Sequence, residues 1–191
     1  MKIILTSTDF LTHNSRKAIY DFLGDISNTK VLFIPNEKAT LEKINSDKYY
    51  DRLVECGFKR KNIYIFNKYE PSKFINLDID AIYVSGGNTF ETLKILKDTK
   101  FDKEIIKYIN KGVKYIGGSA GTHIVTKNIE HVLPFDENNT DLDSLDGLGL
   151  FDGIIFCHYT DDRKKYVEKA IGENKYNVYT LRDDEYIIID K

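Results

Sequence analysis

Short apolar runs alternate with longer segments of mixed polarity along this chain. The runs are rich in β-branched residues and hydrophobic at nearly every position, which is typical of strands that are covered on both faces. Strands of this kind form parallel sheets between layers of helices, whereas half-solvated antiparallel strands alternate apolar and polar residues. The pattern predicts strands at residues 3–5, 31–34, 63–66, 81–84 and 113–116.

Between these runs, apolar residues recur with helical spacing. In residues 101–112 one face carries the apolar side chains, Asp102 lies near the positive end of the helix dipole, and Gly112 closes the segment. Residues 41–57 follow a similar pattern and predict one helix that stops at Gly57. Strands and helices that alternate in this way indicate an α/β fold, with an open, mostly parallel sheet flanked by helices on both faces.

The carboxyl-terminal third is less regular. Residues 128–153 are acidic and lack periodicity, so we expect a long surface loop there. Further apolar runs follow at residues 153–157, 177–181 and 186–190, with an amphipathic helical segment after the first of them. The last two runs are close enough to predict a hairpin.

Composition and charge narrow the class of protein. A chain of 191 residues with 41% hydrophobic content suits one domain over residues 1–191. With 28 basic and 30 acidic side chains the formal net charge is −2, so the protein has no overall positive potential that would attract nucleic acid or an anionic membrane. Two distant cysteines, no long apolar segment and no signal peptide favour a cytoplasmic protein with reduced thiols. We therefore expect a small-molecule partner and leave a homodimer open.

Ser119 lies in a GxSxG pattern that follows the predicted strand at 113–116. Flanking glycines permit the sharp strand-to-helix turn that presents a nucleophilic hydroxyl, and the next amide can face a substrate oxygen. The same residues also suit an ordinary tight turn in which the serine is only a cap. Its place between an apolar strand and a helical segment favours the nucleophile.

A second loop, with Gly86 and Gly87, follows the strand at 81–84. Its glycines let the backbone approach a ligand, and Asn88 or Thr89 can cap the next helix. The amide of Gly87 is a candidate oxyanion donor beside that of Ala120, with Gly86 and Asn88 as substrate-binding candidates. An ordinary glycine-rich turn is the simpler alternative, and no dinucleotide or P-loop motif is present.

His158 directly follows the run at 153–157 and is the candidate general base. Three other histidines, at positions 13, 123 and 131, fit solvated or capping roles better. Cys157 belongs to the core, because neighbouring strand residues point to opposite faces. The acid that orients the base follows the run at 177–181, where spacing alone leaves Asp183, Asp184 and Glu185 open.

Four segments in this order, "VSGGNTFETLK", "YIGGSAG", "CHYTDD" and "LRDDEYI", resemble the peptidase E family of serine peptidases, also called dipeptidase E or aspartyl dipeptidase. The resemblance covers roughly residues 80–190 and, more loosely, the amino-terminal βα units, and it implies a fold like that of class I glutamine amidotransferases. It implies Ser119 as nucleophile, His158 as base, Asp183 as acid where the family usually has glutamate, and the amides of Gly87 and Ala120 as oxyanion donors. The segment after Ser119 departs from the one that accompanies aspartyl specificity.

These observations predict a serine peptidase that hydrolyses small peptides through an acyl-enzyme, without metal or cofactor. Two alternatives stay open: an esterase or other acyl hydrolase with the same machinery, and a catalytically inactive protein that binds a small ligand on the same scaffold. Candidates for the residues that select the substrate are the loop at 130–139 and Arg163.

Overall fold

Eight strands and seven α-helices make up the computed structural model, which describes residues 1–191. The strands are β1 (Lys2–Thr6), β2 (Val31–Ile34), β3 (Ile63–Ile65), β4 (Ala81–Val84), β5 (Lys114–Gly118), β6 (Ile154–Phe156), β7 (Val178–Thr180) and β8 (Tyr186–Asp190). The helices are α1 (His13–Leu23), α2 (Leu41–Asn45), α3 (Lys48–Glu55), α4 (Thr89–Asp98), α5 (Phe101–Asn110), α6 (Ala120–His123) and α7 (Lys164–Glu173). None of these helices is both long and apolar enough to cross a bilayer.

Six strands form the main sheet, in the order β3-β2-β4-β5-β1-β8. Its first five strands are parallel, and β8 lies antiparallel to β1 at the edge. The remaining strands, β6 and β7, pair in parallel as a separate two-stranded sheet. The predicted fold class, a mostly parallel α/β sheet flanked by helices, is confirmed.

Alternate residues of each main-sheet strand pack into different cores, because successive side chains point to opposite faces. On one face, Ile82 and Val84 pack with the apolar sides of α4 and α5. On the other face, Ala81 and Tyr83 pack with those of α1, α2 and α3. The sheet is therefore buried on both sides, which accounts for its nearly continuous apolar strands.

The predicted hairpin of the last two apolar runs is wrong. Instead of pairing with each other, β7 joins β6 and β8 joins β1. A short sequence separation favours a hairpin, but here the apolar strand edges of β6 and β1 offer each segment a different partner. The turn at residues 181–185 thus carries the chain from the small sheet to the main sheet.

Two further expectations need correction. The single helix predicted over residues 41–57 is two helices, because Ser46 leaves the helical conformation and its hydroxyl donates to the carbonyl of Lys43. The segment at 128–153 is not simply a surface loop: Ile129, Val132 and Phe151 are buried in the core on the α4–α5 side of the sheet. Their apolar side chains are spaced too irregularly to stand out as an element.

The sheets bring five chain segments to one region. The carboxyl ends of β1, β4 and β5 meet at one edge of the main sheet, where Ser7, the glycine loop after Val84, and Ser119 follow them. Loops that follow β6 and β7 approach the same edge from the small sheet. Ligand sites of open α/β sheets are found at this edge.

Shortening a side chain in the centre of the main sheet will test how strongly its burial stabilises the fold. Ile82 is fully buried in β4, so Ile82→Ala should lower the free energy of unfolding by about 2–5 kcal/mol, through lost apolar contact and the cavity left behind. As a control, Ile188→Ala on β8, where the side chain is 46% exposed, should cost about 1 kcal/mol or less. Urea unfolding at 25 °C measures both, and equal losses would contradict the assignment of the core.

Candidate active site

Ser119 lies on a sharp turn between β5 and α6. Its backbone has φ 46° and ψ −103°, a combination that costs a non-glycine residue on the order of 1–3 kcal/mol. The carbonyl oxygen of Ser119 closes the turn by accepting hydrogen bonds from the backbone N–H groups of Thr122 and His123, at 2.8 and 2.9 Å. Close packing holds it: a Cβ on Gly121 would lie 2.2 Å from the carbonyl oxygen of Val84. The geometry is that of a strand–turn–helix elbow.

His158 reaches the hydroxyl of this turn from the small sheet. Its Nε2 lies 2.9 Å from Ser119 Oγ, and its Nδ1 lies 2.6 Å from Asp183 Oδ1. A carboxylate can only accept a hydrogen bond, so Nδ1 carries the proton and Nε2 has a lone pair for the serine hydroxyl. The imidazole thus has the tautomer that a general base requires.

Among the three acidic residues of the 181–185 turn, Asp183 is the one beside the imidazole. Asp184 accepts instead from Asn14 Nδ2 at 3.4 Å, and Glu185 accepts from the backbone N–H of Arg182 at 2.7 Å. The backbone pairing of β6 with β7 determines which acidic residue meets the imidazole. It continues past the end of β7, where the N–H of Leu181 donates to the carbonyl of Phe156 at 2.9 Å. This pairing holds the segments that carry the histidine and the aspartate side by side.

Ser7 is a buried member of the cluster that sequence reasoning missed. Its Oγ accepts a hydrogen bond from the backbone N–H of His158 at 2.7 Å and donates one to Asp183 Oδ1 at 3.3 Å. The hydroxyl therefore connects the end of β1 to both residues of the small sheet. The signal available in the sequence was the polar triplet "TST" at the end of an apolar strand, on the edge where the other candidate loops converge.

The loop of residues 86–88 packs against the elbow. A Cβ on Gly86 would lie 3.4 Å from Ser119 Cβ, and the N–H of Gly87 has no hydrogen-bond partner within the protein. The N–H of Ala120, in the first turn of α6, likewise has no preceding helical carbonyl to bond. Two unengaged amides thus lie in the segments next to Ser119, one in the 86–88 loop and one directly after the serine.

A protein-family model described as peptidase family S51 matches residues 3–191. The chain belongs to peptidase family S51. The resemblance to peptidase E carried by four short motifs is thereby confirmed, including its looser part over the amino-terminal units. The family is one of peptidases, which are hydrolases, and the alignment with the first relative below spans little more than half of that relative's length.

Individual relatives agree with this membership. An uncharacterised peptidase from Listeria monocytogenes is 37% identical over 115 residues, which are 58% of this chain and 56% of the relative. One from Pasteurella multocida is 33% identical over 150 residues, 74% of this chain and 70% of the relative. The crystal structure of a candidate peptidase E protein from Listeria monocytogenes EGD-e superposes with a TM-score of 0.77 at 28% identity, covering 98% of this chain and 93% of that one.

Asn88, a candidate for substrate binding, is the cap of α4 in this S51 chain. Its Oδ1 accepts the N–H of Glu91 at 3.0 Å, and its Nδ2 donates to the carbonyl of Glu137 at 2.7 Å. The capping role that the sequence offered is therefore present. A part for Asn88 or Gly86 in binding substrate stays a prediction.

Asp9 is a second residue beside the elbow that the sequence analysis missed. Its carboxyl fills the space beneath the elbow, with Oδ1 lying 0.9 Å from where a Gly118 Cβ would stand, and Oδ2 accepts the N–H of Gly86 at 3.4 Å. Burial raises the pKa of this carboxyl, although Arg52 lies 3.6 Å away. The Asp9 side chain thus connects the elbow to the 86–88 loop.

Two of the histidines set aside as solvated or capping are not so in the structure. His123 is 6% exposed and lies inside the site, and His131 bonds through Nε2 to the carbonyl of Ile155 at 2.8 Å. The helix that carries His123 and the polar sequence around His131 gave no indication of these contacts. Cys157 is buried as expected, and burial raises the pKa of its thiol.

Arg163, a candidate for substrate selection, lies close to His158. Its Nη1 donates to the carbonyl of Cys157 at 2.8 Å, and its guanidinium stands 4.1 Å from the centre of the Phe135 ring. Arg163 therefore contacts both the residue before His158 and the loop at 130–139. Its role in choosing substrates stays a prediction.

Adding one methyl group to the elbow will test the close packing that holds it. Gly121→Ala would drive a Cβ into the backbone of Val84, and overpacking of this kind costs about 1–3 kcal/mol or more. Gly172→Ala is the matched control, because nothing lies within 4 Å of its Cβ position in α7; it should be neutral or slightly stabilising. Thermal unfolding followed by circular dichroism should show a lower midpoint for the first variant only.

Proposed function

We propose that this chain is a serine peptidase that hydrolyses small peptides through an acyl-enzyme. The observation that carries the proposal is the unbroken row of hydrogen bonds from Ser119 Oγ to His158 at 2.9 Å and from His158 to Asp183 at 2.6 Å. Nucleophile, base and orienting acid in hydrogen-bond reach are the signature of an activated serine. Membership of a peptidase family supports the amide bond as the target.

In the first half of the reaction, Ser119 Oγ attacks the peptide carbonyl carbon while His158 Nε2 takes the hydroxyl proton. Negative charge then develops on the carbonyl oxygen, and the amides of Gly87 and Ala120 donate to it. When the tetrahedral intermediate collapses, the carbon–nitrogen bond breaks and the imidazolium gives its proton to the leaving amine. Asp183 keeps Nδ1 protonated and stabilises the transient positive charge.

In the second half, a water molecule replaces the amine. His158 removes a proton from the water as it attacks the serine ester, and the same two amides hold the second oxyanion. Breaking of the ester bond returns the proton to Ser119 Oγ and releases the carboxylic acid. Gly86 and Asn88 are proposed to shape the wall along which the peptide lies.

Replacing the nucleophile tests the proposal directly. Ser119→Ala should lower kcat on dipeptides by a factor on the order of 10⁶, because no other hydroxyl occupies its place. The fold should survive, since alanine retains the Cβ of serine. Release of amino acids from a dipeptide library measures the loss, and parent-like hydrolysis by the variant would refute the assignment.

Comparison of substrates separates the peptidase from its alternatives. Faster turnover of aryl esters than of any dipeptide would favour an esterase that uses the same residues. An aryl fluorophosphonate should form a covalent bond to Ser119 Oγ of the parent. Folded parent protein that neither turns over these substrates nor reacts with this reagent would favour the ligand-binding alternative.

Removing one acid at a time tests the choice of Asp183. Asp183→Asn should lower kcat by about 10²–10⁴-fold, because an amide lets the imidazole adopt the wrong tautomer. Asp184→Asn is the matched control one residue away, where the side chain faces Asn14 instead of the imidazole, and it should keep kcat within about twofold. Steady-state kinetics at a fixed pH compare the two, and a larger loss at Asp184 would overturn the assignment.

A further inference from the structure

His123 joins three segments of the proposed active site through one buried imidazole. It ends α6, four residues after the proposed nucleophile, and is 6% exposed. Its Nδ1 lies 3.1 Å from Thr89 Oγ1, and its Nε2 lies 3.4 Å from the backbone nitrogen of Cys157. Thr89 directly follows the 86–88 loop, and Cys157 directly precedes His158.

The chemistry of these partners fixes the protonation of the ring. A backbone N–H can only donate, so Nε2 must accept with its lone pair. Nδ1 must then carry the proton and donate to the hydroxyl oxygen of Thr89. An imidazolium would carry a second proton at Nε2 and would lose the bond to Cys157, so the bridge requires a neutral ring.

The surroundings of His123 favour the neutral ring. Burial lowers the pKa of His123 well below its usual value, and the charges of His131, His158 and Arg163 act in the same direction. These three side chains come from the 130–132 turn, the end of the small sheet and the start of α7. The bridge is thus expected to persist through the neutral pH range.

We propose that His123 is a positioning residue for hydrolysis, which sets the distances among the nucleophile turn, the oxyanion loop and the base. The proposal rests on the function proposed above. The base is carried by a sheet separate from the one that carries the nucleophile, so the 2.9 Å contact between them needs links across the gap. A misplacement of about 1 Å can cost a factor on the order of 10² in rate.

Changing the partner hydroxyl tests this role with little change in volume. Thr89→Val removes the acceptor and should lower kcat about tenfold with KM within twofold, because alignment is lost and substrate contacts are kept. Thr89→Ser restores a hydroxyl and should return kcat to within about twofold of the parent. If Thr89→Val lowers thermal stability but leaves the kcat of the folded enzyme unchanged, the bridge serves packing alone and the proposal fails.

Replacing the ring divides the bridge into its two bonds. In His123→Asn the side-chain N–H stands near the place of Nδ1 and keeps the Thr89 bond, whereas in His123→Gln the side-chain oxygen stands near the place of Nε2 and keeps the Cys157 bond. Each should lower kcat by about 10- to 100-fold. The asparagine variant, which frees the strand before His158, should also slow labelling by an aryl fluorophosphonate. Parent-like kcat and labelling in both variants would overturn the proposal.

Imidazole nitrogen NMR tests the bridge without relying on activity. The His123 signals, identified by their absence in His123→Gln, should show a protonated Nδ1 and an unprotonated Nε2 from pH 5 to pH 8. A protonated Nε2, or a titration within that range, would overturn the bridge. If the bridge is intact but the parent neither hydrolyses peptides nor reacts with the fluorophosphonate, the function proposed for Ser119 fails while the geometry at His123 stands.

Discussion

The candidate site depends on one hydroxyl that joins two sheets. Ser119 stands at the end of the six-stranded sheet, whereas His158 and Asp183 follow the strands of a separate two-stranded sheet. Ser7, buried at the end of β1, accepts the backbone N–H of His158 and donates to Asp183. A buried serine with both capacities satisfied fixes the small sheet against the main one. This anchor acts together with the apolar core that Ile155 shares with the main sheet and with the contacts of His123 in holding the serine–histidine–aspartate row.

Three of the six non-glycine residues with positive φ, namely Asp9, Ser119 and His158, lie around the candidate site. Ser119 has φ 46° and His158 has φ 53°, both in the region that side chains usually avoid. Such conformations persist only where the surroundings over-determine them. The backbone of Ser119 is held by the close contact of Gly121 with β4 and by the carboxyl of Asp9, which packs against Gly118. At His158 the surroundings are the Ser7 hydroxyl and the extended β6–β7 pairing. Strain and packing therefore hold the side chains of Ser119 and His158 close to each other.

The parts of this structure that could be predicted from the sequence are those marked by residues close to one another along the chain. Strand β5 and the turn at Ser119 lie within a few residues of one another, so periodicity and glycine spacing were enough to locate them. The pairing of β7 and β8 was mispredicted because strand partners are chosen by edges that lie far away in sequence. Ser7, Asp9 and His123 were missed for the same reason: nothing in a serine, an aspartate or a histidine by itself indicates which distant atoms it will contact. Spacing alone did not separate Asp183 from its neighbours; the family resemblance favoured it, and the register of the small sheet places it beside the imidazole.

The occupancy of the amides at the start of α4 bears on what this edge can bind. A helix start with free N–H groups is a ready site for a phosphate or other resident anion. Here the N–H of Asn88 already donates to Glu37 at 3.0 Å and that of Thr89 to Asp136 at 2.8 Å. Two carboxylates at this position also repel an incoming anion. The amide of Gly87 remains unengaged beside the serine. A resident anion at the start of α4 would therefore find two of its amides occupied and two carboxylates beside it. The occupied amides of the 86–88 loop thus argue against a stably bound phosphate or other anion at the start of α4.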